Sequence, residues 1–292
     1  MTAESVLHWR CGEATLLGVL TAGAPQADTA VLVIVGGPQY RAGSHRQFVR
    51  LGRALAAHGW PTLRFDYRGM GDSGGDPRTF DSVGEDIGSA IDALCRRLPS
   101  LRRVVLWGLC DGASAALMYW QESQDPRVAG LSLLNPWLRG GNSEARMRVR
   151  HYYLQRLTQG DFWRKLLRGG IGADALSGLA RQVSEATQRG PAGDADFRDR
   201  MAWSWQHFPG PVQVLLSGRD FTAKEFLDGI GTLPTWRGAW GRPLLTRCDL
   251  PEADHTVSAE SEHQRLVQAV RDWLSALPAA PLPDPSLRGD PA

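Results

Sequence analysis

Cys110 sits in the string Gly108-Leu109-Cys110-Asp111-Gly112, a thiol with glycine two residues away on either side. A side chain thrust out at the apex of a sharp strand-to-helix turn needs that composition. The apex residue takes a strained backbone conformation, and side chains at the flanking glycines would collide with the adjoining strand and helix. The neighbouring residues supply both elements: Val104-Val105-Leu106-Trp107 is a short apolar run, and Ala113, Ala116, Leu117 and Trp120 follow at near-helical spacing. The pattern G-x-C-x-G is the nucleophile turn G-x-S-x-G with cysteine in place of serine. The turn puts Cys110 at a helix N-terminus, where the dipole favours a thiolate. A thiolate attacks an acyl carbon to give an acyl-cysteine. Ser114 lies one helical turn further on, outside that frame, and is not read as the nucleophile.

Such a turn needs a sheet to stand on. Residues 5–20 alternate loosely around a turn at Gly12-Glu13, the pattern of an edge hairpin. Residues 30–35 (AVLVIV) form a buried-strand run that ends in Gly36-Gly37-Pro38-Gln39. A helix is expected over 44–58, with Ser44 as N-cap, Phe48, Leu51 and Leu55 on its apolar face and Gly59 at its end. Strand 60–66 follows, then a glycine-rich loop and a helix whose face is Val83, Ile87, Ala90, Ile91, Leu94 and Leu98. After the Cys110 turn comes strand 128–134. Strands alternating with helices predict right-handed βαβ units and an α/β fold with a mostly parallel sheet. Ligands bind such sheets at the carboxyl ends of the strands, where Cys110 falls.

The alternation then breaks. Residues 137–209 carry helical stretches near 143–158, 161–168 and 174–188 and no convincing strand. The sheet resumes with Val212–Leu216, which leads through Ser217-Gly218-Arg219 to Asp220. Residues 243–247 are the last strand candidate. A loop ending in Asp254-His255 follows, then a final helix over about 258–277. The expected organisation is a core of residues 1–136 and 210–277, a helical lid at 137–209, and a disordered tail at 278–292 with five prolines in fifteen residues.

Composition narrows the function classes. A formal net charge of +2 gives no global case for nucleic acid. No run of 18 apolar residues predicts a transmembrane helix. The first residues lack a basic segment followed by an apolar one, so no secretory signal is expected. Cys11, Cys95, Cys110 and Cys248 are widely spaced with no C-x-x-C pair, which fits reduced thiols in a cytoplasmic protein rather than a zinc site. Gly36-Gly37 is not followed by G-K-[ST] and is no P-loop. No metal or cofactor is expected.

The order nucleophile, helical insertion, strand-Asp, strand-His, final helix resembles the α/β-hydrolase superfamily over nearly the whole chain. The strings GGPQYRAGSHRQF (36–48), DYRGMGDS (66–73) and GLCDGAS (108–114) look more specifically like a bacterial group, the first-type hydrolase associated with the exosortase A system, which accompanies protein-sorting and exopolysaccharide loci. The resemblance implies an α/β-hydrolase fold and a catalytic triad of Cys110 as nucleophile, His255 as base and Asp220 as acid. Asp254, beside His255, is the competing acid. The backbone N–H groups of Asp111 and Gln39 would form the oxyanion hole, since Pro38 has no N–H. His45 and Arg41 are candidate substrate contacts. Arg68, Gly69 and Gly71 look like a loop brace.

Between Arg139 and Arg168 lie eight basic residues against Glu144 and Asp161. That charge suits a small-molecule or carrier-linked acyl substrate bearing negative charge. Trp163, Trp203, Trp205, Tyr152 and Tyr153 read as core of this region rather than as an acyl site. The implied activity is hydrolysis of an ester or thioester. The alternatives are acyl transfer through the same triad and a non-catalytic scaffold of this fold.

Overall fold

The computed structural model describes residues 3–36, 39–138 and 192–278, with side chains from 197 onward in the last segment. The expected lid helices, the basic cluster Arg139–Arg168, Tyr152, Tyr153, Trp163, Gly37, Pro38 and residues 279–292 of the tail lie outside the described residues. Two compact units are distinguished, Met1–Trp137 with Met201–Ala292 and Leu138–Arg200. In the second, the described residues are Leu138 and 192–200, the latter forming the start of a helix.

The first unit is built on one eight-stranded sheet. Its strands are β1 (Glu4–Cys11), β2 (Ala14–Thr21), β3 (Thr29–Ile34), β4 (Thr62–Phe65), β5 (Arg103–Leu109), β6 (Val128–Leu134), β7 (Val212–Ser217) and β8 (Leu245–Leu250). The spatial order is β1-β2-β4-β3-β5-β6-β7-β8. The β1–β2 hairpin turns at Gly12, φ 56°, and is antiparallel, as is β2 against β4. All pairs from β4 to β8 are parallel. Parallel strands are covered on both faces, and β3 is accordingly buried at every residue.

The α-helices among the described residues are α1 (Gln47–Ala57), α2 (Gly84–Arg97), α3 (Asp111–Ser123), α4 (Ala192–His207), α5 (Phe221–Thr232) and α6 (Glu260–Ser275). From β3 the chain steps through α1 to β4 on one side, then returns through α2 to β5 on the other. Right-handed crossovers in opposite directions put successive helices on opposite faces. α1 accordingly packs with α6, and α2 with α3. The reversal at β3 opens a crevice at the carboxyl ends of β3 and β5, the place where such sheets bind ligands.

Three local expectations are revised. Ser44 does not cap α1: the chain passes through Gly43, His45 and Arg46, all at positive φ, and the helix proper begins at Gln47. β8 starts two residues later and ends three residues later than its apolar pattern suggests. Pro243 lacks an N–H, Leu244 has φ 56°, and only Leu250 of this edge strand is buried. α5 is an additional element. Its buried residues Ala223, Phe226 and Ile230 keep helical spacing, while Gly229 and Gly231 near its end mask the pattern. Trp205 is fully buried against Trp236 and Phe226, with ring centroids 5.5 and 5.9 Å away, and its indole N–H donates to the Ala239 carbonyl. Trp205 is thus core of the sheet-bearing unit rather than of a separate lid, and Trp203, also expected in the lid core, is exposed and stacks on Trp120.

Candidate active site

Cys110 joins β5 to α3 at φ 56° and ψ −120°, a conformation that side-chain-bearing residues adopt at a cost of about 1–3 kcal/mol. Its amide donates to Leu134 at the end of β6, and its carbonyl accepts the amides of Ala113 and Ser114, so the turn is fixed from both sides. The glycines are required sterically. A Cβ on Gly108 would lie 2.5 Å from the Ala113 nitrogen, and one on Gly112 would lie 2.3 Å from the Ile34 oxygen. Gly36, just past β3, is as constrained: its Cβ would sit 2.4 Å from the Leu109 oxygen and 3.2 Å from the Asp111 nitrogen. The loop that carries Gln39 therefore departs from beside the Asp111 amide. Ser114 is a strut, buried, its hydroxyl donating to the Trp137 carbonyl at 2.7 Å.

The loops after β7 and β8 bring Asp220 and His255 together. Nδ1 of His255 and Oδ2 of Asp220 are 2.9 Å apart. The other oxygen of Asp220 accepts the Thr222 amide at 3.1 Å and caps α5, so the carboxylate is oriented by the helix it starts. Asp220 is buried and His255 is one-third exposed. Burial alone would push the His255 pKa down. The hydrogen bond to Asp220 and the charges of Asp220, Asp111 and Asp254 outweigh it, and the net effect is upward from 6.5. Asp254 does not compete for the imidazole through a hydrogen bond: it accepts the amides of Thr256 and Ser258 and so shapes the turn behind His255.

One contact was not foreseen. The thiol of Cys110 donates to Oδ1 of Asp111 at 3.3 Å. The expected part of Asp111 is its backbone N–H alone, yet its side chain is buried and close enough to act on His255. An acidic residue in the variable position of G-x-C-x-G was the available signal.

Other candidates lie around this centre. Gln39 is half-buried, and its Oε1 is buried without a hydrogen-bond partner among the described residues. His45 is exposed on the left-handed turn before α1. Arg41 pairs with buried Asp66 and with Asp72, and lies over the Tyr40 ring. Arg68 is clasped by buried Asp86 and by Glu85, beside Gly69 and Gly71 at positive φ. All four cysteines are free thiols, and burial pushes Cys11 and Cys248 up. Among the described residues, no cluster of three or more His, Cys, Asp or Glu side chains is arranged to hold a metal ion, and no helix is long and apolar enough to cross a membrane.

A mostly parallel eight-stranded sheet, a strained turn after its fifth strand and an Asp–His pair beyond its seventh and eighth define an alpha/beta hydrolase. The chain belongs to the alpha/beta hydrolase family, whose model matches residues 31–269. Solved structures of the same fold include an esterase of Pyrococcus furiosus, at TM-score 0.65 and 15% identity over 94% of this chain and 91% of that one. Est1E of Butyrivibrio proteoclasticus, solved with ferulic acid bound, gives 0.61 and 13% over 93% and 98%. Mouse alpha/beta hydrolase domain-containing protein 10 gives 0.61 and 16% over 94% and 100%. No curated protein matches the sequence significantly.

Proposed function

We propose that the chain hydrolyses an ester or thioester through Cys110, His255 and Asp220. The observation that carries this reading is the 2.9 Å His255–Asp220 pair on the loops of a sheet whose fifth strand ends in the strained Cys110 turn. Asp220 holds the imidazole with Nδ1 protonated, which leaves Nε2 to take the thiol proton. The sulfur attacks the acyl carbon, and the negative charge moves to the carbonyl oxygen, facing the N–H groups of Asp111 and Gln39. Collapse breaks the bond to the leaving alcohol or thiol, which takes the proton from His255, and leaves an acyl-cysteine. Water deprotonated by the now neutral His255 then attacks the acyl carbon and releases the acid and the Cys110 sulfur. General-base action of this kind contributes about 10²–10⁴-fold.

Support for ester chemistry comes from the family and from the esterase of the same fold. An acyl substrate with a negative charge or an anionic carrier is supported by the basic composition between Arg139 and Arg168. An exopolysaccharide or exosortase setting, and a cytoplasmic one, rest on sequence character alone.

The test is turnover of aryl esters and acyl thioesters by the wild type and by Cys110→Ala, with intact-mass detection of an acyl adduct. Turnover lost in the variant, with a wild-type adduct on Cys110, supports the reading. Turnover that persists in Cys110→Ala overturns it. Adding an amine, alcohol or thiol acceptor separates hydrolysis from acyl transfer by the product formed.

A further inference from the structure

Cys110 and Asp111 stand next to each other at the N-terminus of α3, and their side chains meet. Sγ of Cys110 lies 3.3 Å from Oδ1 of Asp111. An ionised thiol and an ionised carboxylate at that separation repel strongly, and burial of Asp111 weakens the screening that water would supply. A hydrogen bond between Sγ and Oδ1 requires a proton on one of the two. The helix dipole pulls Cys110 toward thiolate; the neighbouring carboxylate acts in the opposite sense.

Resting on the reading of Cys110 as nucleophile, we infer that Asp111 is a further catalytic residue whose carboxylate retains a proton on the Cys110–Asp111 pair until an acyl group is in place. The proton count is simple. Before reaction, one proton lies between Sγ and Oδ1, and His255 is neutral with its Nδ1–H on Asp220. On attack, that proton passes to Nε2 of His255 while the sulfur electron pair forms the S–C bond and the carbonyl π pair moves to oxygen. The negative charge leaves the atom beside Asp111, and the imidazolium that results feels the carboxylates of both Asp220 and Asp111. Asp111 therefore disfavours a standing thiolate–imidazolium pair more than it disfavours the acylated state. The resting thiol is correspondingly protected from oxidants and alkylating agents, which react with thiolates.

Among the described residues, His255, on the loop after β8, feels the charge of Asp111 together with those of Asp220, after β7, and Asp254, on its own loop. Tyr67, after β4, is buried with its hydroxyl on the Val35 carbonyl and feels the charge of Asp111.

The experiment is the pH dependence of Cys110 alkylation by iodoacetamide, read by peptide mass spectrometry in the wild type, Asp111→Asn and Asp111→Ser. Both substitutions remove the charge, and the serine variant stands in if the asparagine variant does not fold. The expected result is a midpoint lower by about one pH unit or more, a tenfold or greater shift in the thiol–thiolate equilibrium. The plateau rate should fall, because a less basic thiolate is less nucleophilic. A midpoint that stays in place or rises overturns the inference, since a merely structural Asp111 would not move it downward. Ester turnover by Cys110→Ala keeps the two ideas apart. Persistent turnover there sinks the nucleophile assignment, whereas lost turnover with an unmoved midpoint in the Asp111 variants sinks only the role of Asp111.

Discussion

Oδ2 of Asp220 lies 2.9 Å from Nδ1 of His255, across 35 residues of chain. The contact fixes the tautomer and raises the His255 pKa above 6.5. The base form is then fully available only at higher pH, so the acid limb of kcat/KM should have its midpoint above pH 6.5. Asp220→Asn removes the charge and the tautomer control. The limb should move to lower pH while turnover falls by about 10²–10⁴-fold. The stability linkage has its own sign. A raised histidine pKa contributes stability that is complete below about 6.5 and is lost as pH rises through the folded-state value. Melting curves of the wild type and Asp220→Asn should therefore differ more at pH 6 than at pH 9. An acid limb that does not respond to Asp220→Asn would rule out this pairing as the source of the shift.

The backbone of Cys110 offers a separate test. At φ 56° and ψ −120° a residue with a Cβ is strained, and glycine is not. Cys110→Gly and Cys110→Ala both lack the thiol, so both should abolish turnover if sulfur is the nucleophile. They should differ in stability, with the glycine variant more stable than the alanine variant by about 1–2 kcal/mol despite the greater freedom of its unfolded chain. Urea unfolding of the two proteins reads the difference. Equal stability would mean that the turn holds no appreciable strain.

The parts of this arrangement written in local pattern were legible in the sequence. The buried run of β3, the G-x-C-x-G turn, β6 and the hairpin all follow from apolar periodicity and glycine placement, and with them the α/β fold. The positions of Asp220 and His255 came from chain order, and their contact depends on strand order, which pairs β7 with β8. What was hidden is tertiary. An edge strand with one buried residue leaves little apolar signal, so β8 was shifted. Two consecutive left-handed residues, His45 and Arg46, replaced a serine cap because the loop after β3 is held by contacts distant in sequence. The Asp111 side chain escaped notice because adjacent residues usually diverge, and only the strained turn brings them face to face.

Gly112 shows how tightly β3 and the Cys110 turn are joined. A Cβ there would lie 2.3 Å from the Ile34 carbonyl oxygen and 2.9 Å from the Val35 carbonyl carbon, both backbone atoms. No side-chain rotation relieves that contact, so Gly112→Ala must push α3 away from β3. The expected cost is about 3 kcal/mol, at the upper end for overpacking. Activity should fall further than stability implies, because the Asp111 amide moves with the helix. Activity per folded molecule at a temperature well below the midpoint separates the two effects. A variant with wild-type melting and turnover would contradict the close packing.

Arg41 and Asp66 brace the loop that carries Gln39. Asp66 has no exposed side-chain surface, accepts the amides of Arg41 and Asp72 at 2.8 and 3.1 Å, and pairs with the Arg41 guanidinium. Asp66→Ala leaves two amides without their acceptor and the Arg41 guanidinium with Asp72 as its remaining carboxylate, at a cost of about 3 kcal/mol. Arg41→Ala should cost less, because Asp66 keeps its two amides and can take a proton. Burial already raises the pKa of Asp66 against the pull of those amides and of Arg41, and removing Arg41 raises it further. A raised carboxyl pKa means that the folded state binds the extra proton, so stability declines as pH rises through that value. Arg41→Ala should accordingly lose less stability at pH 4 than at pH 7. The kinetics then separate a brace from a substrate contact. A brace predicts that Arg41→Ala and Asp66→Ala share one defect, mainly in kcat through the displaced Gln39 amide. A direct substrate contact predicts that Arg41→Ala alone raises KM.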